Sequence, residues 1–539
     1  MAAGDEPYFA WVPEPALVTE LPATAGERLS AAELAALATG KPQVPFVDLT
    51  VGIRTKDSGA WVGSPHGLMN LAPGSERWRL FHSRRWLPSD DVRDLAIGDH
   101  GSVYVKTPGG IGKLARRETT LVKKMDEIDD TLVKHHIQFG LVGGISLNEP
   151  GRLDAGYSQH SNDNDGLWTS LYVAAEAFRY GVTKDPTAKK NARRALDAMM
   201  FLEQITGISG FAARSIVPID QTPNHARGEW HRSADGRWWW KGDTSSDEVD
   251  GHYFAYSIYY DIAADEAEKQ EIRRVVGRIT DHILDHGLYY VGPSGSPTTW
   301  GVWAPEKLNH DLRRAGDRGL NSLEILSHLK AAEHIVGNPR YTAMIKELIE
   351  KHSYEMNTVH QKNAWPAEMV NHSDDELAFL AYYPLLIYER DTALRTVYMA
   401  SLKRSWRSER LEHSPFFNLS YGACLQADEW TNPGQRPDRA LVEPDDYDRD
   451  ICVEWFRDVP QDTVSWTVNN SQRQDIGAVS RNRFRRARGQ VVVPPSERHV
   501  MRWNGDPYDL DGGSDGRYRD DGTAILLPYW MGRYHRLIE

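Results

Sequence analysis

The stretch "WWWKGDTSSDEVDGHYFAY", Trp238 to Tyr256, crowds three tryptophans, four carboxylates, a lysine and a histidine into a single run. Ser245-x-x-Glu248 reads as a capping box, and the helix dipole favours carboxylates in a first turn. Capping accounts for Ser245 and Glu248. It leaves Asp243, Asp247 and Asp250 unexplained, with Lys241 just upstream. Glu248, His252 and Tyr256 fall at i, i+4 and i+8, so they share one face of the helix that follows. A polar stripe on an otherwise apolar helix needs polar partners if it is buried, or a wet cleft to line. The stretch therefore predicts the start of an inner helix whose first turns border a cleft.

Similar polar starts recur in "NDNDGLWTSLYVAAEAF" from Asn162, "LNSLEILSHLKAAEHI" from Leu320, "NHSDDELAFLAYYPLLIY" from Asn371 and the shorter "EHSPFFNLSYGACL" from Glu412. Each runs into a segment apolar nearly all round, which belongs inside a large protein. Ser373-x-x-Glu376 repeats the capping-box pattern, and Asn321-x-x-Glu324 is a looser version. Between these segments lie amphipathic helices with one charged face. In "EAEKQEIRRVVGRITDHILDHG", Ile272, Val275, Val276, Ile279 and Ile283 fall at helical spacing. Long aromatic-rich connections follow the outer helices and reach the N-terminal ends of the inner ones. Loops of that length inside a compact domain are usually functional. Inner and outer helices in alternation predict a mainly α fold over residues 122–539, an (α/α) toroid of about six helical hairpins.

Ahead of it lie an N-terminal extension (residues 1–45) and a small β module (46–118) with an internal repeat. "GAWVGSPHGLMNL", Gly59 to Leu71, matches "GSVYVKTPGGIGKL", Gly101 to Leu114; Trp61 aligns with Tyr104, Gly67 with Gly110 and Leu71 with Leu114, all at an offset of 43 residues. That period is the period of β-propeller blades, yet two copies are too few to close a propeller.

The helical alternation resembles the (α/α)-toroid carbohydrate-active enzymes, a group of glycoside hydrolases and polysaccharide lyases. "WLPSDDVRDLAIGDHGSVYVKTPGGIGKL" resembles a blade of the two-component-regulator propeller type. The first resemblance covers residues 122–539 and implies catalytic groups at the N-terminal ends of inner helices; the second implies no activity.

Glycoside hydrolysis needs one carboxylic acid to protonate the leaving oxygen and one carboxylate to activate water. The expected pair is Asp247 or Glu248 against Asp374 or Asp375. Asp163, Asn164 and Asp165 are expected to bind substrate with Trp168 as a sugar platform, and Arg214, Trp240, Lys241, Trp300, Trp303 and His372 to line the cleft. The rival chemistry is β-elimination on a uronic acid by a polysaccharide lyase. There His252 or Tyr256 would take the α-proton and Asn164, Arg214 or His372 would neutralise the uronate. The carboxylates around His252 repel an anionic sugar unless Arg214, Arg227 and Arg232 offset them. The third class is a non-catalytic glycan-binding protein. Hydrolysis is the preferred reading.

The formal charge of −13, without a basic stripe, argues against nucleic acid as a partner. No apolar run approaches the roughly 18 residues of a membrane span. The first residues lack a basic start and an apolar core, so they do not read as a signal peptide. As it stands the chain is expected in the cytoplasm, or in a secreted or periplasmic setting if a leader has been removed. Two cysteines make no disulfide framework and no zinc pattern, and no HExxH motif is present. No cofactor is expected; Asp243, Asp247 and Asp250 could hold a structural Ca²⁺. Eighteen tryptophans and 23 tyrosines suit both a large core and stacking on sugar faces.

Overall fold

A computed structural model describes residues 6–159, 163–223, 228–361, 372–431, 446–481, 485–499 and 504–538. The chain divides into two compact units. The first comprises Met1–Glu127, Ser146–Ser158 and Glu454–Asp520; the second comprises Ile128–Ile145, Gln159–Val453 and Asp521–Glu539.

The first unit is built on two antiparallel sheets. One has the strand order Glu27–Arg28, Val51–Thr55, Gly59–Ser64, Gly67–Leu71, Arg79–Phe81; the other has the order Tyr8–Pro15, Gly110–Thr119, Val103–Thr107, Asp94–Ile97. The internal repeat is a repeat of hairpins with one register. Ser64 pairs with Gly67 and Ala60 with Leu71; 43 residues on, Thr107 pairs with Gly110 and Val103 with Leu114. Both turns are closed in the same way. The Ser64 hydroxyl donates to the Gly67 carbonyl (3.3 Å) and accepts from the His66 N–H (3.1 Å), while the Thr107 hydroxyl donates to Gly110 (3.0 Å) and accepts from Gly109 (3.2 Å). Gly67 and Gly110 sit at φ +138° and +117°, where a Cβ is strained, so the turn requires glycine at both. Alternate residues face inward: Trp61, Phe81, Trp86, Leu95, Val103, Val105 and Leu114 form one buried cluster. Residues 1–45 contribute an outer strand to each sheet and helix α1 (Ala31–Thr39), which Ser30 and Glu33 close with a reciprocal capping box.

After α2 (Leu121–His135) the second unit carries its helices as α3 (Asp165–Thr183), α4 (Pro186–Gln204), α5 (Ser246–Ile262), α6 (Glu266–Asp285), α7 (Pro305–Leu308), α8 (Arg318–Val336), α9 (Pro339–His352), α10 (Tyr354–Thr358), α11 (His372–Tyr388), α12 (Thr392–Glu409), α13 (Pro415–Thr431), α14 (Asp446–Asp458) and α15 (Thr523–Tyr534). Of these, α14 crosses into the first unit. Two textures alternate. In α5 every residue from Val249 to Tyr260 is buried, whereas α6 buries only a stripe through Ile272, Val275, Val276, Ile279 and Ile283. Buried helices touch one another in turn: α3 meets α5, α5 meets α8 and α11, α8 meets α11, α11 meets α13, α13 meets α15, and α15 returns to α3.

The expected mainly α toroid does not describe the chain. The fold is mixed, 46% helical and 20% strand, with several small sheets. Strands appear where long loops were expected. Ile216–Pro218, Trp238–Lys241 and Trp230–Arg232 form a three-stranded sheet, and Tyr289–Val291 pairs with Pro297–Val302. These connections are rich in tryptophan, threonine and valine, which fit a pleated, half-buried surface better than a coil. Residues 454–520 add further short strands and fall in the first unit. No helix among the described residues is long and apolar enough to cross a membrane.

Candidate active site

The sheet strand Trp238–Lys241 delivers the chain to the N-terminus of α5 and ties it to α3. Lys241 N–H donates to Ser215, Arg214 N–H donates to Lys241, and Asp165 N–H donates to Arg214, at 2.9, 2.9 and 3.0 Å. The Arg214 guanidinium then locks the two helix starts together. It donates to Asn164 Oδ1 (3.0 and 2.6 Å), to the Asp163 carbonyl (2.9 Å) and to the Asp243 carbonyl (3.1 Å). Asn164 passes the link on, its Nδ2 donating to Asp247 Oδ2 at 3.2 Å. Lys241, itself buried, is bonded to the exposed Asp163 carboxylate.

Asp247 lies at the surface of this network and keeps partial exposure. Burial pushes its carboxyl above the usual range; Arg214 and the Asn164 hydrogen bond oppose that, and the negative charge of Asp374 adds to it. Asp374, in the first turn of α11, is also partly exposed. The starts of α5 and α11 therefore bring Asp247 and Asp374 within electrostatic reach of each other.

The capping reading of Glu248, Glu324 and Glu376 is corrected by the structure. Ser245 caps α5 by position but makes no side-chain cap bond. Glu248 is fully buried and reaches across to α3, where one oxygen accepts the Leu167 N–H at 3.2 Å and the other has no hydrogen-bond partner. Gly166 makes this approach possible, because a Cβ there would stand 2.1 Å from Glu248 Oε2. Desolvation drives the Glu248 carboxyl far above its ordinary range, helped by Asp165 and Asp247 and opposed by Arg214. Glu324, also fully buried, accepts the indole N–H of Trp303 at 2.9 Å, and Asn321 Nδ2 turns to the Val302 carbonyl. Glu376 is 4% exposed with one oxygen unpartnered, and burial together with the charges of Glu412, Asp375 and Glu409 drives its carboxyl up.

Beneath these groups runs a polar seam between α5 and α8. Asp250 meets His328 Nε2 at 3.2 Å, and the His328 ring stacks on Tyr253 with centroids 4.5 Å apart. Desolvation, then Glu324 and Asp247, push the Asp250 carboxyl far up. His252 Nδ1 meets the Tyr256 hydroxyl at 3.0 Å. Both rings are buried, and burial lowers the His252 pKa to about 4. His252 and Tyr256 thus sit in the packing and not on an open face. The same correction applies to Trp240, stacked on His231 at 4.4 Å, and to Trp303: both are core residues and present no ring to a sugar. Trp300 is 51% exposed, with the Arg314 guanidinium 6.0 Å from its ring centroid, and Trp168 is partly exposed. Asp165 is buried at the start of α3, beside a small polar cavity that His136, Gln138 and Gln159 also line. Asp375 is buried, and His372 pairs with Glu412 at 2.6 Å.

The three carboxylates that could hold Ca²⁺ turn to different partners: Asp243 to Thr299, Asp247 to Asn164 and Asp250 to His328. Arg227 lies outside the described residues. Sequence reasoning missed His328, although Glu324 and His328 repeat the i, i+4 spacing of Glu248 and His252. It also missed Glu409, whose contact with α11 is long-range. The chain matches no protein-family model and no curated protein sequence.

Proposed function

We propose that the chain is a glycoside hydrolase acting on an oligo- or polysaccharide, with Asp247 as proton donor and Asp374 as the carboxylate that activates water. One observation carries the reading: two partly exposed carboxylates stand in the first turns of different helices, α5 and α11, close enough for the charge of Asp374 to act on Asp247, whose carboxyl burial already pushes up. A carboxyl pushed toward its protonated form, facing a second carboxylate across the helix starts, is what acid/base hydrolysis requires. Asn164 fixes one oxygen of Asp247, so the other is left to carry the proton. Arg214 holds Asn164 in turn and also acts on Asp247 through its charge. As the leaving oxygen takes the proton, Asp247 becomes an anion that Arg214 and Asn164 stabilise. The exposed Trp300 offers a ring face for pyranose stacking.

Burial of His252 and Tyr256 counts against the lyase reading, since neither can reach an α-proton without opening the helix packing. A panel of neutral and uronic-acid polysaccharides, assayed for new reducing ends and for the ultraviolet absorbance of an unsaturated uronate, separates the classes. Reducing ends without that absorbance support hydrolysis. Reducing ends with it sink the hydrolase reading, and glycan binding with no new ends on any substrate sinks both enzymes.

A further inference from the structure

A second group of chemistry-bearing side chains lies where the end of α12 meets the start of α11. One ring nitrogen of His372 and one carboxylate oxygen each of Glu409 and Glu412 come within 4.8 Å of one another, and all three residues are buried. A fourth group lies within electrostatic reach of both glutamates. Glu376 lies one turn beyond His372 on the same face of α11, is 4% exposed, and keeps its Oε2 without a hydrogen-bond partner. Arg410, between the two glutamates in sequence, turns away to Asp448 at 2.7 Å.

We propose that His372, Glu409 and Glu412 bind one divalent first-row transition-metal cation of the zinc class, toward which Glu376 turns its unpartnered oxygen once the ion is bound. One imidazole nitrogen and carboxylate oxygens make a borderline-to-hard donor set that suits such an ion. Carboxylates crowded in a dry site carry a mutual repulsion that a cation between them offsets. The ion supplies that offset, takes the orphaned Glu376 oxygen as a ligand, and converts the His372–Glu412 contact into shared coordination. It also pins the first turn of α11, two residues before Asp374. Metal binding does not depend on the glycosidase reading, and it is measured without substrate.

The test uses the full-length chain, stripped with chelator and titrated calorimetrically with Zn²⁺ alone and with Co²⁺ alone. The wild type is expected to take up one equivalent of Zn²⁺, to rise in thermal midpoint, and to show the visible bands of low-coordinate Co²⁺. Glu412→Gln should bind more than about 100-fold more weakly, because loss of an outer partner alone costs up to that much. Glu376→Gln is isosteric at an oxygen with no partner to lose, so it should fold normally and bind about 10-fold more weakly or worse. No saturable uptake by the wild type would overturn the proposal and leave a hydrogen-bonded cluster only. Unchanged affinity in a folded Glu376→Gln or Glu412→Gln protein would overturn it equally, by placing the ion elsewhere.

Discussion

The starts of α5 and α6 carry the same pattern and use it in opposite ways. At α6, Asp265-x-x-Glu268 forms a closed capping box: Glu268 N–H donates to Asp265 at 2.9 Å and Asp265 N–H to Glu268 at 2.8 Å. Those bonds lie at the surface, and the Glu268 backbone N–H is the main cause of the lowered Asp265 pKa. At α5, Ser245-x-x-Glu248 makes no such box; Glu248 leaves its own helix, takes an N–H from α3 and is driven up in pKa by burial. A motif that serves the local backbone on an outer helix becomes an inter-helix polar contact on an inner one. The N-cap is serine at one helix and aspartate at the other, but the glutamate is common to both, and what sets its role is the solvent around it.

The sharpest way to probe the buried side is acidification. His252 is held near pKa 4 against 6.5 in the unfolded chain. The unfolded state binds the extra proton between those values, so stability falls as pH drops through that window, by about 3 kcal/mol from this residue alone. A His252→Gln protein should lose correspondingly less between pH 6.5 and 4 in urea titrations. An equal loss in both proteins would remove His252 from the buried seam.

Gly166→Ala is expected next in size. Its Cβ would meet Glu248 Oε2, so overpacking costs about 1–3 kcal/mol. The cost should shrink in a Glu248→Ala background, and strict additivity in that double-mutant cycle would show that the two do not touch. Glu248→Gln has a smaller effect with a defined sign. A carboxyl with a raised folded-state pKa contributes most below its unfolded pKa and loses that contribution as pH rises toward the folded value. The variant should therefore show a flatter stability profile above the ordinary glutamate range. Asp265→Ala, on the exposed side of the comparison, should show the reverse. Its lowered pKa contributes stability above the unfolded value, so the variant is weaker than wild type at neutral pH and the gap closes as pH falls through the folded pKa.

Some of this could be read before folding. The hairpin repeat was visible because its register rests on two local devices, a hydroxyl at 64 or 107 and a positive-φ glycine at 67 or 110. Inner helices were visible because a segment apolar all round has nowhere to go but inside. Burial of Glu248, Glu324 and Glu376 was not, since capping and cross-helix pairing demand the same residue at the same place, and only tertiary packing chooses. The aromatic connections misled for a related reason. Trp240 and Trp303 look like sugar platforms in sequence, yet one stacks on His231 and the other donates to Glu324 inside the core. The meeting of His372 with Glu409 and Glu412 depends on a contact between α11 and the end of α12 that no local pattern announces.

The central claim is that Asp247 and Asp374 act as one acid/base pair. Its most direct test is reducing-end release on the best polysaccharide of the panel by wild type, Asp247→Asn and Asp374→Asn, each shown to be folded. The pair predicts that either substitution lowers the rate about 10²–10⁴-fold, as for loss of a positioned general acid or base. Wild-type rates in either folded variant would contradict it.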